Sequence, residues 1–456
     1  MVAPLRILRA ARRGSTLPKC ARAPPPMPFR RRRSRRSLPQ HPRLRRAKQN
    51  SPGIAVARPD RNAARRRAFR DRPPHPGVLP AMSTEKNWAL VLTGGGARGA
   101  YQAGVLKYIG EHMPEAHFET LVGSSAGAIN VAGLATAGGN LQLGGPKIAE
   151  IWAGLNMRQV FRTDVFSLAK IAVQWITSLA VGGVSGRPAA HSLVDSAPLR
   201  KLLDELYQPA LVAQAIEAGE LRNVVVSATE VHSGSSVTFI QSKIPKIWER
   251  ARRRAEMTEL TVEHIMASAA IPLLFPSVVI NNRQYVDGCI RSTTPLGPAT
   301  RLGATKILSI GVRQYYMREA GNFFRVPTEP EPRPTPAQLG ALVLNSLFNE
   351  ALDADAEHLE RLNSILPETS ESHGMRKVDV LVLRPSEDLG EIATRFRDRA
   401  PSAVRFMLRG LGSEAGRSSD ILSYLLFVPE YLQALVDLGY RDAREEDARI
   451  RAFLRE

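Results

Sequence analysis

Cysteine is nearly absent from this 456-residue chain, which has only Cys20 and Cys289. Two thiols so far apart supply neither a disulfide framework nor the four ligands of a structural zinc site, so a reducing, cytoplasmic compartment is expected, with no metal. Acid is just as scarce at the N-terminus. Residues 1–81 carry 23 Lys and Arg against Asp60 and Asp71, a net of +21, whereas the whole chain is at +20. The other 375 residues therefore sum to −1, and the basic character belongs to the arm alone. A nucleic-acid-binding body is excluded on that count. The arm has no apolar core of a secretory signal, and its arginine runs Arg30–Arg33 and Arg65–Arg67 with Pro24–Pro26 leave too little to pack, so disorder is expected. Met82-Ser83 just ahead of the first strand leaves a second reading open, that the arm is an upstream over-extension of the coding start. Long uninterrupted apolar runs are missing too. The most apolar stretch, Val165–Val184, is broken by Lys170 and Gln174 and closed by Gly182-Gly183, so it reads as an interfacial or lid helix rather than a membrane span, with a buried core helix as the alternative. There is no internal repeat.

What is present has the grammar of an α/β parallel sheet. Ala89-Leu90-Val91-Leu92 is an apolar run of strand length that stops at Thr93-Gly94-Gly95-Gly96-Ala97-Arg98-Gly99, and Ala103, Leu106, Ile109 and Met113 follow at helical spacing. Phe118–Val122 reads as the next strand, broken by Gly123-Ser124-Ser125-Ala126-Gly127, and Ala128–Ala137 as a helix. Further strands are expected at Asn223–Ala228, Ser236–Gln241, Ser277–Ile280, Lys306–Ile310 and Val378–Leu383, and helices at Pro198–Tyr207 and Val262–Ala270. Five prolines within residues 326–336 mark a linker. Helical stretches follow at Ala337–Leu366, Ser402–Leu411 and Leu422–Leu438, which read as a helical appendage with no visible chemistry. The expected organisation is an arm at 1–81, a catalytic domain at 88–300, and a remaining strand, linker and helical extension at 301–456.

Two glycine-rich turns carry the chemistry. Gly-x-Ser-x-Gly at 123–127, between a strand and a helix, has the context of a nucleophile elbow, in which Gly123, Ser124, Ala126 and Gly127 keep the sharp turn small and Ser125 projects as the nucleophile. The helix that opens after it aims its N-terminal dipole at the same spot. The loop Gly94, Gly95, Gly96, Ala97, Arg98 and Gly99 can turn backbone amides toward a developing oxyanion. Within it Arg98 reads as a structural anchor that bonds backbone carbonyls of the loop, with contact to a substrate phosphate as the other role. The same letters Gly94, Gly96 and Gly99 satisfy Gly-x-Gly-x-x-Gly, and Glu115 and Glu119 lie near the spacing of a ribose-binding acid. A Rossmann-type dinucleotide-binding protein is therefore the alternative, although it leaves the serine elbow unexplained. A base for Ser125 is harder to place. The nine histidines share no motif, and Asp287, at the end of the strand-like Tyr285-Val286 and followed by Gly288, is the better candidate, although Asp-Gly taken alone is as readily a plain turn.

Trp88–Met113 with Gly94–Gly99 and Gly104-Val105-Leu106, Gly123–Gly127, and Ser268-Ala269-Ala270-Ile271-Pro272 leading through Phe275-Pro276 to Asp287-Gly288 together resemble the patatin-like phospholipases over about residues 89–300. The resemblance implies a three-layer α/β core of the six-stranded type with a mainly parallel sheet. It also implies a Ser125–Asp287 dyad in place of a triad, and hydrolysis of acyl esters of phospholipids or lysophospholipids with no metal and no cofactor. In one position the chain departs from the family, which has Asp-Gly-Gly or Asp-Gly-Ala where this sequence has Cys289 after Gly288. For such a dyad to work, Asp287 must be desolvated enough to become more basic than a free carboxylate. A lipid substrate further implies a peripheral membrane surface, here the inner membrane face. The α/β-hydrolase fold also uses Gly-x-Ser-x-Gly, but its serine follows several strands, and its histidine would have to be His358 or His373, beyond the proline linker.

Overall fold

A strand buried on both faces must be apolar at successive positions, and the first strand, β1 (Trp88–Leu92), is. Leu90 and Leu92 point into one hydrophobic cluster and Ala89 and Val91 into a second, on opposite faces of the sheet. The computed structural model describes residues 87–162, 194–272, 274–292, 294–314, 333–335, 350–366, 376–402, 405 and 419–455, with isolated positions between 339 and 346. The expectations for the arm, for Val165–Val184, and for most of the proline-rich stretch and of Ser402–Leu411 lie outside the described residues.

After β1 come α1 (Gly99–His112), β2 (Thr120–Ser124), α2 (Ala126–Thr136), α3 (Leu141–Gly154), the short α4 (Met157–Val160), α5 (Ala197–Leu206) and α6 (Pro209–Ala218). Next are β3 (Asn223–Glu230), β4 (Ser235–Ser242), β5 (Glu249–Arg250), β6 (Arg253–Met257), α7 (Val262–Ser268), β7 (Val278–Ile280), β8 (Arg283–Asp287), α8 (Gly297–Arg301) and β9 (Lys306–Ile310). The chain continues through α9 (Glu350–Ile365), β10 (Asp379–Leu383), α10 (Leu389–Arg395), α11 (Ser419–Leu425), α12 (Pro429–Glu445) and α13 (Asp447–Arg455).

The strands form one sheet in the order β10-β9-β1-β2-β3-β4-β6-β5, with β8 joined to β3 and β7. Pairing is parallel from β10 to β3 and antiparallel between β3 and β4, so the centre is mainly parallel. Helices α1, α2, α3 and α12 cover the face of Leu90 and Leu92, and α8 and α9 cover the other, giving three layers. The ten strands among the described residues exceed the six-stranded core implied by the resemblance, because β4 to β6 and the β7–β8 hairpin widen the sheet beyond the parallel centre.

Four features depart from the sequence expectations for identifiable reasons. Helix α3 contains Gly144, Gly145 and Pro146, a turn-like composition. Its glycines serve close helix packing, since a Cβ at Gly145 would overlap the Leu106 carbonyl, and one at Gly110 of α1 would overlap that of Leu141. Strand β6 reads Arg-Arg-Ala-Glu-Met with only Ala255 buried, so no alternation announces it. The continuous helix expected over Leu422–Leu438 is two helices, broken at 426–428 because Pro429, which has no N–H, opens α12 at its first turn. β2 also lies two residues later than expected, its hydrogen bonding running up to the elbow.

Candidate active site

β2 passes into α2 through a single residue. Ser125 has φ 53° and ψ −126°, a conformation that L side chains rarely adopt and that is held only by its surroundings. A Cβ at Gly127 would overlap the Leu92 carbonyl, and one at Gly123 would press on Gly127 and Ala128, so both elbow glycines are fixed by space. The Ser125 N–H donates to Ser268 Oγ at 2.9 Å, and the Ser268 hydroxyl donates to the Ser227 carbonyl at 2.7 Å, which ties the elbow to α7 and β3. Ser125 is buried, as is its neighbour Ser124.

β3 sets the distance between the two candidate side chains. Its Ser227 pairs with Ser124, the last residue of β2, and the next residue, Ala228, pairs with Asp287, the last of β8. The elbow and the carboxylate thus stand beside consecutive residues of one strand, about 3.3 Å apart along it. The Asp287 N–H donates to the Ala270 carbonyl and its own carbonyl accepts from Thr229 Oγ1, both at 2.9 Å. A Cβ at Gly288 would overlap the Ser227 carbonyl, so the glycine is what lets β8 end against β3.

The Asp287 carboxylate is fully buried, and burial pushes its pKa up from 3.8 to about 6, while the nearby Ser125 hydroxyl and the Cys289 amide pull the other way. Oδ1 accepts from the Cys289 N–H at 2.9 Å, but among the described residues Oδ2 has no hydrogen-bond partner. The Ser125 hydroxyl is near enough to bias the carboxylate, yet the two side chains do not close a hydrogen bond of normal geometry. Catalytic pairs often sit in that relation before substrate arrives. Chemically, the arrangement is a hydroxyl beside a basic, incompletely satisfied carboxylate.

The glycine loop lies at the C-terminal end of β1. Its Arg98 and Gly99 amides are taken up inside the turn, by the carbonyls of Gly95 and of Gly96 and Ala97. Among the described residues no hydrogen bond takes the amides of Gly95, Gly96 and Ala97, and Gly96, at φ +55°, lines the same cavity as Ser125. Arg98 is an anchor that reaches side chains far along the chain. It is buried, its Nε donates to Ser423 Oγ at 2.8 Å, its Nη1 donates to the Tyr424 hydroxyl at 3.2 Å, and its guanidinium lies 4.1 Å from the Tyr424 ring centre. The dinucleotide alternative loses its acid here. Glu119 accepts from the Trp88 N–H and Glu115 pairs with Arg451, so Glu119 stands at the start of β1, the end opposite the glycine loop.

An apolar cavity opens from Ser125 between α2, α3 and α5, with Ile129, Ile148, Trp152, Leu202, Leu206 and Phe427 in its wall. Among the described residues no histidine lines it; of the two histidines an α/β-hydrolase triad would draw on, His358 lies in α9 and His373 lies outside the described residues. Behind the loop a buried polar chain runs from Trp152 Nε1 to Asn130 Oδ1 (2.6 Å) and from Asn130 Nδ2 to Gln102 Oε1 (3.0 Å). Gln102 then donates to the carbonyls of Thr93 and Ile310, at 2.8 and 2.9 Å. The sequence reading gave no role to Gln102, Asn130, Trp152, Ser268, Ser423 or Tyr424. The signal available for the first four was a polar side chain, or an indole needing an acceptor, within an apolar helix pattern. No sequence signal pointed to the last two.

The model of the patatin-like phospholipase family matches residues 90–300. The chain carries a patatin-like phospholipase domain. No curated protein matches the sequence. Among solved structures, the chain is similar to human GIVD cytosolic phospholipase A2, with 12% identity over 81% of this chain and 60% of that one and a TM-score of 0.42. It is similar to VipD from Legionella pneumophila, with 12% identity over 78% and 67% and a TM-score of 0.30. It is also similar to the ExoU-SpcU complex from the type III secretion system of Pseudomonas aeruginosa, with 20% identity over 61% and 52% and a TM-score of 0.24. This chain thus spans about three fifths of the human phospholipase and about half of the ExoU-SpcU chain it matches.

Within the patatin-like domain, Cys289 departs from the family, and its thiol lies against the Asp287 carboxylate and pulls the carboxyl pKa down against burial. What holds Asp287 Oδ1 is the backbone N–H of residue 289, which any residue but proline would supply. The thiol is buried, and burial with the neighbouring Asp287 charge pushes its pKa well up, so it stays a neutral thiol beside Asp287, Gly94 and Ser124. No helix among the described residues is long and apolar enough to cross a membrane.

Proposed function

We propose that the chain is a lipid acyl hydrolase that cleaves carboxylic esters of phospholipids or lysophospholipids through an acyl-serine intermediate. Ser125 Oγ attacks the ester carbonyl as its proton passes to Asp287 Oδ2, and the tetrahedral oxyanion rests on the amides of Gly95, Gly96 and Ala97. Collapse breaks the C–O bond to the leaving alcohol, which takes the proton from Asp287. Water, deprotonated by the same carboxylate, then attacks the acyl-enzyme and restores Ser125. The acyl chain lies in the apolar cavity, whose wall offers it hydrocarbon and little else.

The observation that carries this reading is the register of β3, which sets the strained serine and the unpaired Asp287 Oδ2 beside consecutive residues. A carboxylate with a pKa near 6 is a competent base at neutral pH, where one near 3.8 is a poor one. The test is a fluorophosphonate probe with mass spectrometry to locate the label, run beside fatty-acid release from phospholipid and lysophospholipid vesicles. Labelling at Ser125, with both signals lost in Ser125→Ala, is expected. A label on any other residue, or hydrolysis that survives Ser125→Ala, refutes the assignment. Peripheral contact with a lipid surface belongs to the same proposal, and sedimentation with the vesicles measures it.

A further inference from the structure

The oxyanion loop is held from outside the matched domain. A Cβ at Gly96 would overlap the backbone carbonyl of Tyr424, so the loop lies directly against α11 at that point. Two residues on, the Arg98 side chain reaches Ser423 Oγ and the Tyr424 hydroxyl, and both partners are fully buried. These contacts join positions 325 and 326 residues apart. The strap is itself anchored, since the Tyr431 hydroxyl donates to the carbonyls of Leu389 (3.1 Å) and Ser423 (3.4 Å). Just past the end of α11, Phe427 enters the wall of the cavity that contains Ser125 and lies near Trp152, with ring centres 6.5 Å apart.

We propose that residues 423–427 are a positioning strap for the oxyanion loop. Ser423 and Tyr424 set the direction of the Gly95–Ala97 amides through Arg98 and Gly96, and Phe427 joins that strap to the acyl-chain cavity. This rests on the reading of Ser125 as an acyl-transfer nucleophile. The physical reason is that an oxyanion hole acts only if its dipoles are fixed before the charge develops, and a glycine loop cannot fix itself. The guanidinium supplies the rigidity. It has donors in a planar fork, and both the fork and its aromatic face are engaged, by two hydroxyls and a ring. Ser423 and Tyr424 are buried and do not line the cavity, so they are positioning residues. Their contribution belongs to the transition state, whereas that of Phe427 belongs to chain binding.

The test uses the full chain and the variants Ser423→Ala, Tyr424→Phe, their double, and Phe427→Ala, assayed with a soluble monoacyl ester and titrated with the fluorophosphonate so that rates are per reactive serine. A misplacement of about 1 Å costs on the order of 100-fold in rate. The double variant is therefore expected to lose about 10- to 100-fold in kcat per labelled site and in phosphonylation rate. Its KM should change by less than about threefold, and the pH midpoint set by Asp287 should not move. Phe427→Ala is expected to raise KM more than it lowers kcat. A double variant with wild-type kcat per site, or one whose loss falls entirely in KM or in the fraction of labelled protein, overturns the strap while the hydrolase reading stands. A wild-type chain that neither hydrolyses esters nor labels at Ser125 overturns the hydrolase reading, and the strap with it.

Discussion

Replacing Asp287 by Asn should make the protein more stable while it abolishes catalysis, and the gain should depend on pH in a defined way. In the folded chain burial raises the Asp287 pKa to about 6, against 3.8 for the free side chain. The folded state therefore holds this proton more tightly than the unfolded state. The stability it contributes is complete below about pH 4, falls as pH rises toward about 6, and is lost above that. At about 1.4 kcal/mol per pH unit the interval corresponds to about 3 kcal/mol, the penalty of keeping an ionised carboxylate in a dry site. Because the group is fully buried, no solvent screening reduces that figure. Asn keeps the oxygen that accepts from the Cys289 N–H and carries no charge, so it escapes the penalty. Urea unfolding of wild type and Asp287→Asn at about pH 4, 5, 6 and 8 measures the difference. It should be close to zero at the lowest pH, grow through the middle of the range and level off at about 2–3 kcal/mol in favour of Asn. A second pair built on Ser125→Ala removes the hydroxyl's influence from the comparison. If the two proteins differ by a constant amount across this range, or if Asn is the less stable at about pH 8, the argument that Asp287 is a desolvated base is wrong.

In steady-state assays kcat/KM should rise through about pH 6 as Asp287 ionises and flatten above it, and a profile already flat down to about pH 4 would contradict the raised value. Ser125→Gly should be more stable than Ser125→Ala by about 1 kcal/mol, because only glycine is relaxed at φ 53°, and thermal unfolding of the two inactive variants checks it. Gly288→Ala should cost more than about 3 kcal/mol or prevent folding, since its Cβ overlaps the Ser227 carbonyl, and the soluble yield and circular dichroism of the variant report this. Ser268→Ala removes the acceptor of the Ser125 N–H and the donor to Ser227, and a loss of about 1–3 kcal/mol with reduced labelling of Ser125 is expected.

Much of the site could be read from the chain because its parts are local. The apolar run of β1 ending in Gly94–Gly99 and the strand-to-helix context of Ser125 need only neighbours within a few positions. Asp287 was legible in a weaker sense. Asp-Gly at the end of Tyr285-Val286 is an ordinary turn until something places it next to a serine, and the family resemblance supplied that. Elements made by close packing were hidden. The glycines and the proline of α3 look like a turn unless the approach to α1 is known, and the polar β6 shows no period because only Ala255 is buried.

Sequence alone therefore marked the candidates for nucleophile and oxyanion loop, because backbone conformations such as a sharp elbow or a glycine turn are selected over short range by sterics, while the candidate base rested on the family resemblance. Tertiary structure decided what those residues can do. The raised pKa of Asp287 comes from exclusion of water by a whole core. The adjacency of Ser125 and Asp287 comes from the register of β3, and the fixed direction of the glycine loop from a helix more than three hundred residues away. Desolvation and alignment are properties of packed surroundings, and no short stretch of sequence contains them.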